Sequence, residues 1–282
     1  MEIWLIFAII TVFTSGLHNF TLKVAAEKNY NVSVINIYSY LIGAIFLGFY
    51  LLFAGVEIDY SVLHIIALLA LGNGLFFLLS VFSRIESMKN IDTIIFFPLY
   101  KTFGPILVTL VSLFFFKETL ELKEIIGIII GISVPLLLIT SSENKRQKNL
   151  YLGVLFMLLT AFLTTITSGI SKEVVLQDYN IITYLFLTSL FGLLFSVFSY
   201  FYSDKKKRKY HQGGIFKFSL ISGILHLVTF FTFMGALEGN LAVVFTIVSF
   251  SILIPIILSI IFYNDHFNKK KYITFEKNMT YY

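Results

Sequence analysis

A lysine lies near the middle of an apolar stretch that is about as long as a bilayer core is thick. The stretch runs from Ile91 to Glu118, and Lys101 lies in it between Pro98 and Pro105. A cation near the bilayer midplane costs roughly 2.5–3.5 kcal/mol on insertion scales, so Lys101 must face other helices or water. With the Tyr100 hydroxyl beside it, it either binds an anionic or carbonyl-bearing group, or pairs with a carboxylate or with carbonyls that Pro105 frees.

Two other apolar segments carry polar side chains at helical spacing. The first contains Thr14, His18 and Asn19, and the sixth contains Thr167 and Ser168. Residues three and four positions apart share one side of a helix, so each segment has a polar face. The two faces predict a shared cavity. The alternative is hydrogen bonding between helices, worth about 0.6 kcal/mol per bond.

Asn73, between two glycines in the third segment, either lines the same cavity or makes a helix-packing contact. Pro98, Pro105 and Pro255 are hinge candidates, because proline removes a backbone donor and interrupts the hydrogen-bond ladder of a helix. We expect the helix around Lys101 to be broken at membrane depth, which is one way to build a binding site inside a bilayer.

Gly127 and Gly131 form a G-x-x-x-G pattern in the fifth segment. Small residues at this spacing let a helix approach a neighbour closely. The pattern favours a contact inside the protein. The alternative is a face that pairs with a second copy in a homodimer.

The composition points to an integral membrane protein. Of the 282 residues 57% are hydrophobic and 13% are charged, whereas soluble domains carry about 25% charged residues. There is no cysteine, which excludes disulfides and thiolate chemistry. Enzyme motifs and metal-ligand spacings are absent, so we predict no catalytic residue, metal or cofactor. The basic residues fall in short links, which indicates membrane topology rather than nucleic-acid binding.

Nine apolar segments can be counted, with a repeat at a spacing of about 149 residues. Tyr30-Asn31 falls on Tyr179-Asn180 and Phe96 falls on Phe245. Each half therefore looks like five helices, and an odd number inverts the second half relative to the first. The predicted fold is an all-α polytopic membrane protein with an inverted repeat. The expected units are residues 1–142, residues 149–268 and a polar tail at 269–282. The segments are roughly 3–22, 32–53, 62–82, 91–116, 124–140, 151–171, 181–202, 215–235 and 241–263.

The counterpart of the fifth helix is not evident. It should begin near Lys271, where the sequence KYITFEKNMTYY is too short and too polar to span a bilayer. Either an altered 3′ end of the reading frame or a nine-helix variant accounts for this.

The chain resembles the EamA-like branch of the drug/metabolite transporter superfamily. The resemblance rests on three features: the layout in two halves, the Phe116-Lys117-Glu118 turn before the Gly-rich fifth helix, and the turns at Ser87-Met88 and Ala236-Leu237. Lys117 replaces the glycine that the family usually has. The resemblance implies ten helices, a central cavity and alternating access by small metabolites.

The function expected from these features is secondary transport or export of a small organic solute across the cell membrane, with the solute and the lipid bilayer as partners and no nucleic acid. The alternative is a non-transporting or decayed paralogue, or a lipid-handling helical protein. Lysine and arginine concentrate in the links after the odd-numbered helices, to which Lys23, Arg84 and Lys89 are assigned. Lys117, Lys123 and Lys172 are assigned to the others. This pattern predicts an outside N-terminus, whereas relatives usually have a cytoplasmic one.

Overall fold

The computed structural model describes residues 2–55, 59–137, 149–202 and 214–263, and within these ranges the regular structure is entirely helical. Eight spans in these ranges are long and apolar enough to cross a membrane, the last of them formed by α9, a 3₁₀ turn (Phe250–Ile252) and the start of α10. The helices are α1 (Ile3–Glu27), α2 (Val32–Phe53), α3 (Leu63–Asn90), α4 (Thr93–Phe114), α5 (Leu122–Leu137), α6 (Leu150–Leu176), α7 (Ile181–Tyr202), α8 (Ile215–Ala236), α9 (Leu241–Ser249) and α10 (Leu253–Tyr263). Each of the nine predicted segments therefore forms helix within the residues that the structure describes.

The outer faces of the helices carry large apolar side chains. Phe53, Phe114, Phe198 and Phe262 are all exposed. Exposed apolar area on this scale suits a hydrocarbon solvent and not water. The inner faces carry small and hydroxyl side chains, which let membrane helices approach each other and form hydrogen bonds.

Each half of the chain packs mainly against the other half. The most extensive contacts join α3 to α6 and α1 to α8, followed by α2 to α7. The first two are equivalent pairs under the repeat, because α1 corresponds to α6 and α3 to α8. The third joins two equivalent helices. This arrangement is the one that an inverted repeat produces, with its binding region at the interface of the halves.

Equivalent turns show the same repeat in the backbone. Asn29 before α2 has φ 51° and Asp178 before α7 has φ 52°, a left-handed conformation that asparagine and aspartate tolerate better than other side chains. Two residues later, Asn31 and Asn180 each accept a backbone N–H from the first turn of the following helix, at 2.9 Å in both cases. The Tyr30-Asn31 and Tyr179-Asn180 match thus marks two equal turns.

Glycines allow the closest helix approaches between the halves. A Cβ atom added at Gly74 of α3 would lie 3.0 Å from the Gly192 nitrogen and 3.1 Å from the Thr188 oxygen of α7. The equivalent Gly223 of α8 faces the Ser39 Cα of α2, where an added Cβ would lie at 3.0 Å. Both contacts are with backbone, which cannot move aside as a side chain can.

The expected break around Lys101 is wrong, because α4 is continuous with Pro98 and Pro105 inside it. The Thr102 hydroxyl donates to the Pro98 carbonyl at 2.9 Å, and such side-chain bonds let membrane helices tolerate proline. An interruption occurs instead at the 3₁₀ turn of the last span. Pro255 follows that turn and has no N–H to donate to the Ser251 carbonyl one α-turn earlier.

Several basic residues assigned to links lie in helices, Lys123 at the start of α5 among them. Lys23, Arg84 and Lys172 are 1%, 5% and 3% exposed, because α1, α3 and α6 continue beyond their predicted ends. Lys89 lies in the last turn of α3 and pairs with Glu86 at 2.7 Å. The predicted links were too long because a buried cation lowers the local hydropathy although its helix continues.

The two glycines of α5 differ in their surroundings. Gly131 packs closely against Thr246 of α9, whereas no atom of the described residues lies within 4 Å of a Cβ placed at Gly127. The pattern is therefore used for an internal contact at one of its two positions. The polar tail at 269–282 and the counterpart of the fifth helix lie outside the described residues.

Candidate functional site

A cavity of about 100 Å³ lies between the two halves, lined by side chains of α1, α3, α4, α6, α8 and α9. It is framed by equivalent positions of α1 and α6. His18 corresponds to Thr167 and Asn19 to Ser168 under the repeat, and all four line the cavity. The two polar faces predicted from the sequence therefore meet in one space.

Arg84 is held at this cavity by neutral partners. Its guanidinium donates to Asn19 Oδ1 at 2.8 Å and to the Tyr100 hydroxyl at 3.0 Å. The Tyr100 hydroxyl in turn donates to Thr164 Oγ1 at 3.2 Å. These contacts orient the guanidinium and join α1, α3, α4 and α6, but none of them supplies a negative charge.

Lys101 is 4% exposed, and its ammonium lies 5.4 Å from the centre of the Tyr100 ring. Within the described residues it has no hydrogen bond and no ion pair. Lys172 shows how the same fold buries a structural lysine: its ammonium pairs with Glu118 at 2.8 Å and donates to the Leu237 and Gly239 carbonyls. The proposed pairing of Lys101 with a carboxylate or a freed carbonyl is therefore not seen in the described part of the chain.

Asn73 both lines the cavity and joins helices. Its side-chain nitrogen lies 3.2 Å from the Thr167 carbonyl, 3.1 Å from Ser171 Oγ and 2.5 Å from the Tyr184 hydroxyl. Its side-chain oxygen is buried without a partner among the described residues. The cavity-lining and packing roles, which were alternatives in the sequence, occur together.

Aromatic rings form another part of the cavity wall. The His226 ring centre lies 4.7 Å from that of Phe77, 5.9 Å from that of Phe230 and 5.5 Å from that of His18. All four residues line the cavity. Rings at these spacings form a mainly apolar surface with imidazole nitrogens as its polar groups.

Of the residues singled out in the sequence, Lys101, Tyr100, His18, Asn19, Asn73, Thr167 and Ser168 line this cavity. Thr14 does not. Its hydroxyl is 3.1 Å from the Ile10 carbonyl in its own helix, and its side chain is only partly buried. Such back-bonding is a common use of threonine in a membrane helix.

Two residues of the cavity, Arg84 and His226, were not predicted from the sequence. Arg84 was treated as a link residue, although Phe77, Ser80 and Arg84 follow each other at helical spacing and extend α3. His226 falls on Phe77 under the repeat, and that match of two ring-bearing residues was the available signal. Within the described ranges, no three histidine, cysteine or acidic side chains come close enough to hold a metal ion.

The cavity frame is symmetric, but its charges are not. The positions equivalent to Arg84 and Lys101 are Phe233 and Phe250. Both cations therefore belong to the first half. A scaffold requirement of the fold would be expected to recur in both halves, whereas a site for one particular solute need not.

Two inverted halves of membrane-spanning helices around a polar cavity define a multi-pass membrane protein of the transporter class. The sequence profile of the EamA-like transporter family matches residues 2–140 and 151–275, and the chain belongs to this family. A solved structure described only as "Crystal structure of protein" is similar, with a TM-score of 0.68 and 17% identity, over 90% of this chain and 87% of that one. This similarity shows the fold alone. No curated protein matches the sequence.

Proposed function

We propose that the protein is a secondary transporter that moves a small organic solute across the cell membrane by alternating access. The observation that carries the proposal is the polar cavity between the halves, with equivalent faces of α1 and α6 opposite each other and Lys101 unpaired within the described residues. The family supports transport of small molecules, and the cavity supports a binding site at the interface where inverted repeats place it.

Residues 1–142 and 149–268 are the proposed moving halves. Ligand pockets for drug-sized molecules measure about 300–1,000 Å³, whereas this cavity is about 100 Å³. In this conformation it suits a small solute. Alternating access requires the halves to move, and Pro98, Pro105 and Pro255 are the proposed hinges.

The competing function is that of a non-transporting paralogue or a lipid-handling protein. A densely packed apolar centre would favour it. The two buried cations and the hydroxyl-lined walls favour transport instead, because intramembrane ionisable groups are costly and mark solute pathways.

Single-cysteine labelling tests alternating access without knowledge of the solute. The chain has no native cysteine, so His18→Cys and Thr167→Cys each supply a unique thiol in the cavity. We expect a membrane-impermeant thiol reagent to label both from the outside of right-side-out vesicles and from the inside of inverted ones, because the cavity opens to each side in turn.

Ser196→Cys is the matched control. Ser196 is fully buried in α7, bonds the Gly192 carbonyl and does not line the cavity, so it should stay unlabelled from both sides. If both cavity positions are labelled from one side only, or from neither, the alternating-access proposal is wrong.

A further inference from the structure

We propose that the solute is a small organic anion with an apolar or aromatic body, its anionic group held between Arg84 and Lys101. This inference rests on the proposed transport function and names the substrate class of the same cavity. The anionic group is a carboxylate or a phosphate, since both match the donors of guanidinium and ammonium groups.

The charge balance of the cavity indicates an anionic solute. Arg84 and Lys101 are 5% and 4% exposed, and no aspartate or glutamate of the described chain lines the cavity. Buried cations normally have carboxylate partners because desolvation is costly. Here an anion from outside the protein would supply the missing charge.

The unused N–H donors of Arg84 and Lys101 indicate where the anionic group binds. Asn19 and Tyr100 each accept one hydrogen bond from Arg84, and a guanidinium has five N–H donors. Lys101 adds three N–H donors that have no protein acceptor within the described residues. Both cations lie against the Tyr100 ring, with Arg84 Cζ 5.0 Å from its centre and Lys101 Nζ 5.4 Å away. The two cations therefore lie beside the same ring and line the same cavity.

The position of the aromatic wall indicates where the apolar or aromatic body of the solute lies. Phe77 lies seven residues before Arg84 on α3, which is about 10 Å along a helix. Phe77 packs on His226, and His226 on Phe230. A solute whose anionic group lies at Arg84 and Lys101 can thus extend an apolar body along α3 onto these rings. The cavity volume restricts that body to a small one.

The anionic-solute inference is tested by binding to the purified full-length protein of four probes that share a phenyl ring on a three-carbon chain. These are 3-phenylpropanoate, 3-phenylpropyl phosphate, neutral 3-phenylpropanamide and cationic 3-phenylpropylamine, measured by the ligand-dependent rise of the unfolding midpoint. We expect at least one anion to bind about tenfold or more tightly than the amide and the amine. The tighter of the two anions identifies the head group as carboxylate or phosphate. Propanoate, without the ring, should bind more weakly than 3-phenylpropanoate.

Three variants locate the site. Lys101→Met should weaken the preferred anion by about tenfold to a hundredfold, the usual effect of losing a charged hydrogen bond. Lys101→Arg should retain much of the affinity because it keeps the charge. Lys123→Met is the matched control, since Lys123 is exposed at the start of α5. The affinity of this variant for the preferred anion should be unchanged.

The inference is overturned if the amide or the amine binds as tightly as the anions, if no probe binds, or if folded Lys101→Met binds the anion like the wild type. The comparison of probes on the wild type decides the matter even if Lys101→Met does not fold. The outcome is separate from that of the cysteine test. Anion binding without access from both sides would refute transport alone, and access without anion binding would refute the anionic solute alone.

Discussion

Asn73 shows at the residue scale how one polar side chain can hold the cavity wall together. It lies on α3 and contacts Thr167 and Ser171 of α6 and Tyr184 of α7. Asn73 and Tyr184 are almost fully buried, so their polar atoms cannot turn to water. Removing the amide leaves the Tyr184 hydroxyl at 3.3 Å from Ser171 Oγ, a longer contact than the one with Asn73.

Asn73→Ala should lower the free energy of unfolding by about 1 kcal/mol, since the two amide N–H donors form hydrogen bonds between membrane helices worth about 0.6 kcal/mol each. The measurement is denaturant or thermal unfolding of the purified protein in a fixed detergent. Ser133→Ala is the control, because Ser133 is exposed and its hydroxyl donates to the Ile129 carbonyl within its own helix, α5. Equal stability of the two variants would show that the Asn73 contacts contribute nothing.

At the element scale, the Glu118–Lys172 pair joins the ends of α4 and α6 to the link between α8 and α9. Glu118, after α4, accepts hydrogen bonds from Ser112 Oγ at 2.6 Å and from the Leu241 nitrogen at 3.0 Å, besides its ion pair with Lys172 of α6. Lys172 reaches the carbonyls of the link between α8 and α9. The preceding Lys117 has φ 52°, the left-handed conformation that explains why the resembled family usually has glycine there.

Glu118→Gln and Lys172→Met should each lower the stability by about 3 kcal/mol, because each leaves a largely buried charge without its partner. The double variant should lose less than the sum, since the two residues act on one interaction. Unfolding of the four proteins in detergent measures this coupling.

The exposed pair Lys123–Glu121 is the control for that cycle. The two side chains are 79% and 69% exposed and 2.8 Å apart, and such surface pairs contribute about 1 kcal/mol or less. Additive losses at Glu118 and Lys172, like those at the exposed pair, would contradict a buried structural pair.

The orientation of the whole molecule in the membrane was predicted from the charges of the links, and three of those charges are buried between helices. Lys23, Arg84 and Lys172 belong to helix interfaces, so they no longer count among the link charges that set topology. Lys28 remains just after α1, and Lys89 remains in the last turn of α3. The basic runs at 145–148, 205–209 and 269–271 follow the fifth, seventh and ninth predicted segments and lie outside the described residues.

We predict that the N-terminus is outside the cell, because Lys117 and Lys123 remain the only basic residues assigned to even-numbered links. A cysteine at Ser203 should resist an impermeant thiol reagent in intact cells and react after permeabilisation. A cysteine at the exposed Tyr60, between α2 and α3, should react in intact cells. The reverse pattern would establish the cytoplasmic N-terminus usual among relatives.

The sequence by itself determined the helices, their repeat and two of the cavity faces. Hydropathy and helical period are local properties, so Thr167, Ser168, His18 and Asn19 could be assigned to faces before any contact was known. The equal turns at Asn31 and Asn180 followed from the same repeat.

Only the tertiary structure decided which charges are paired. Lys101 and Lys172 look alike in sequence, as single lysines in or next to apolar segments. Lys172 meets Glu118 after α4 and two carbonyls of the link between α8 and α9, whereas Lys101 meets the Tyr100 ring and lines the cavity. The partners of Arg84, on α1 and α4, are likewise distant in sequence. Hydropathy records the cost of burying a charge, but the packing of the helices determines what compensates it.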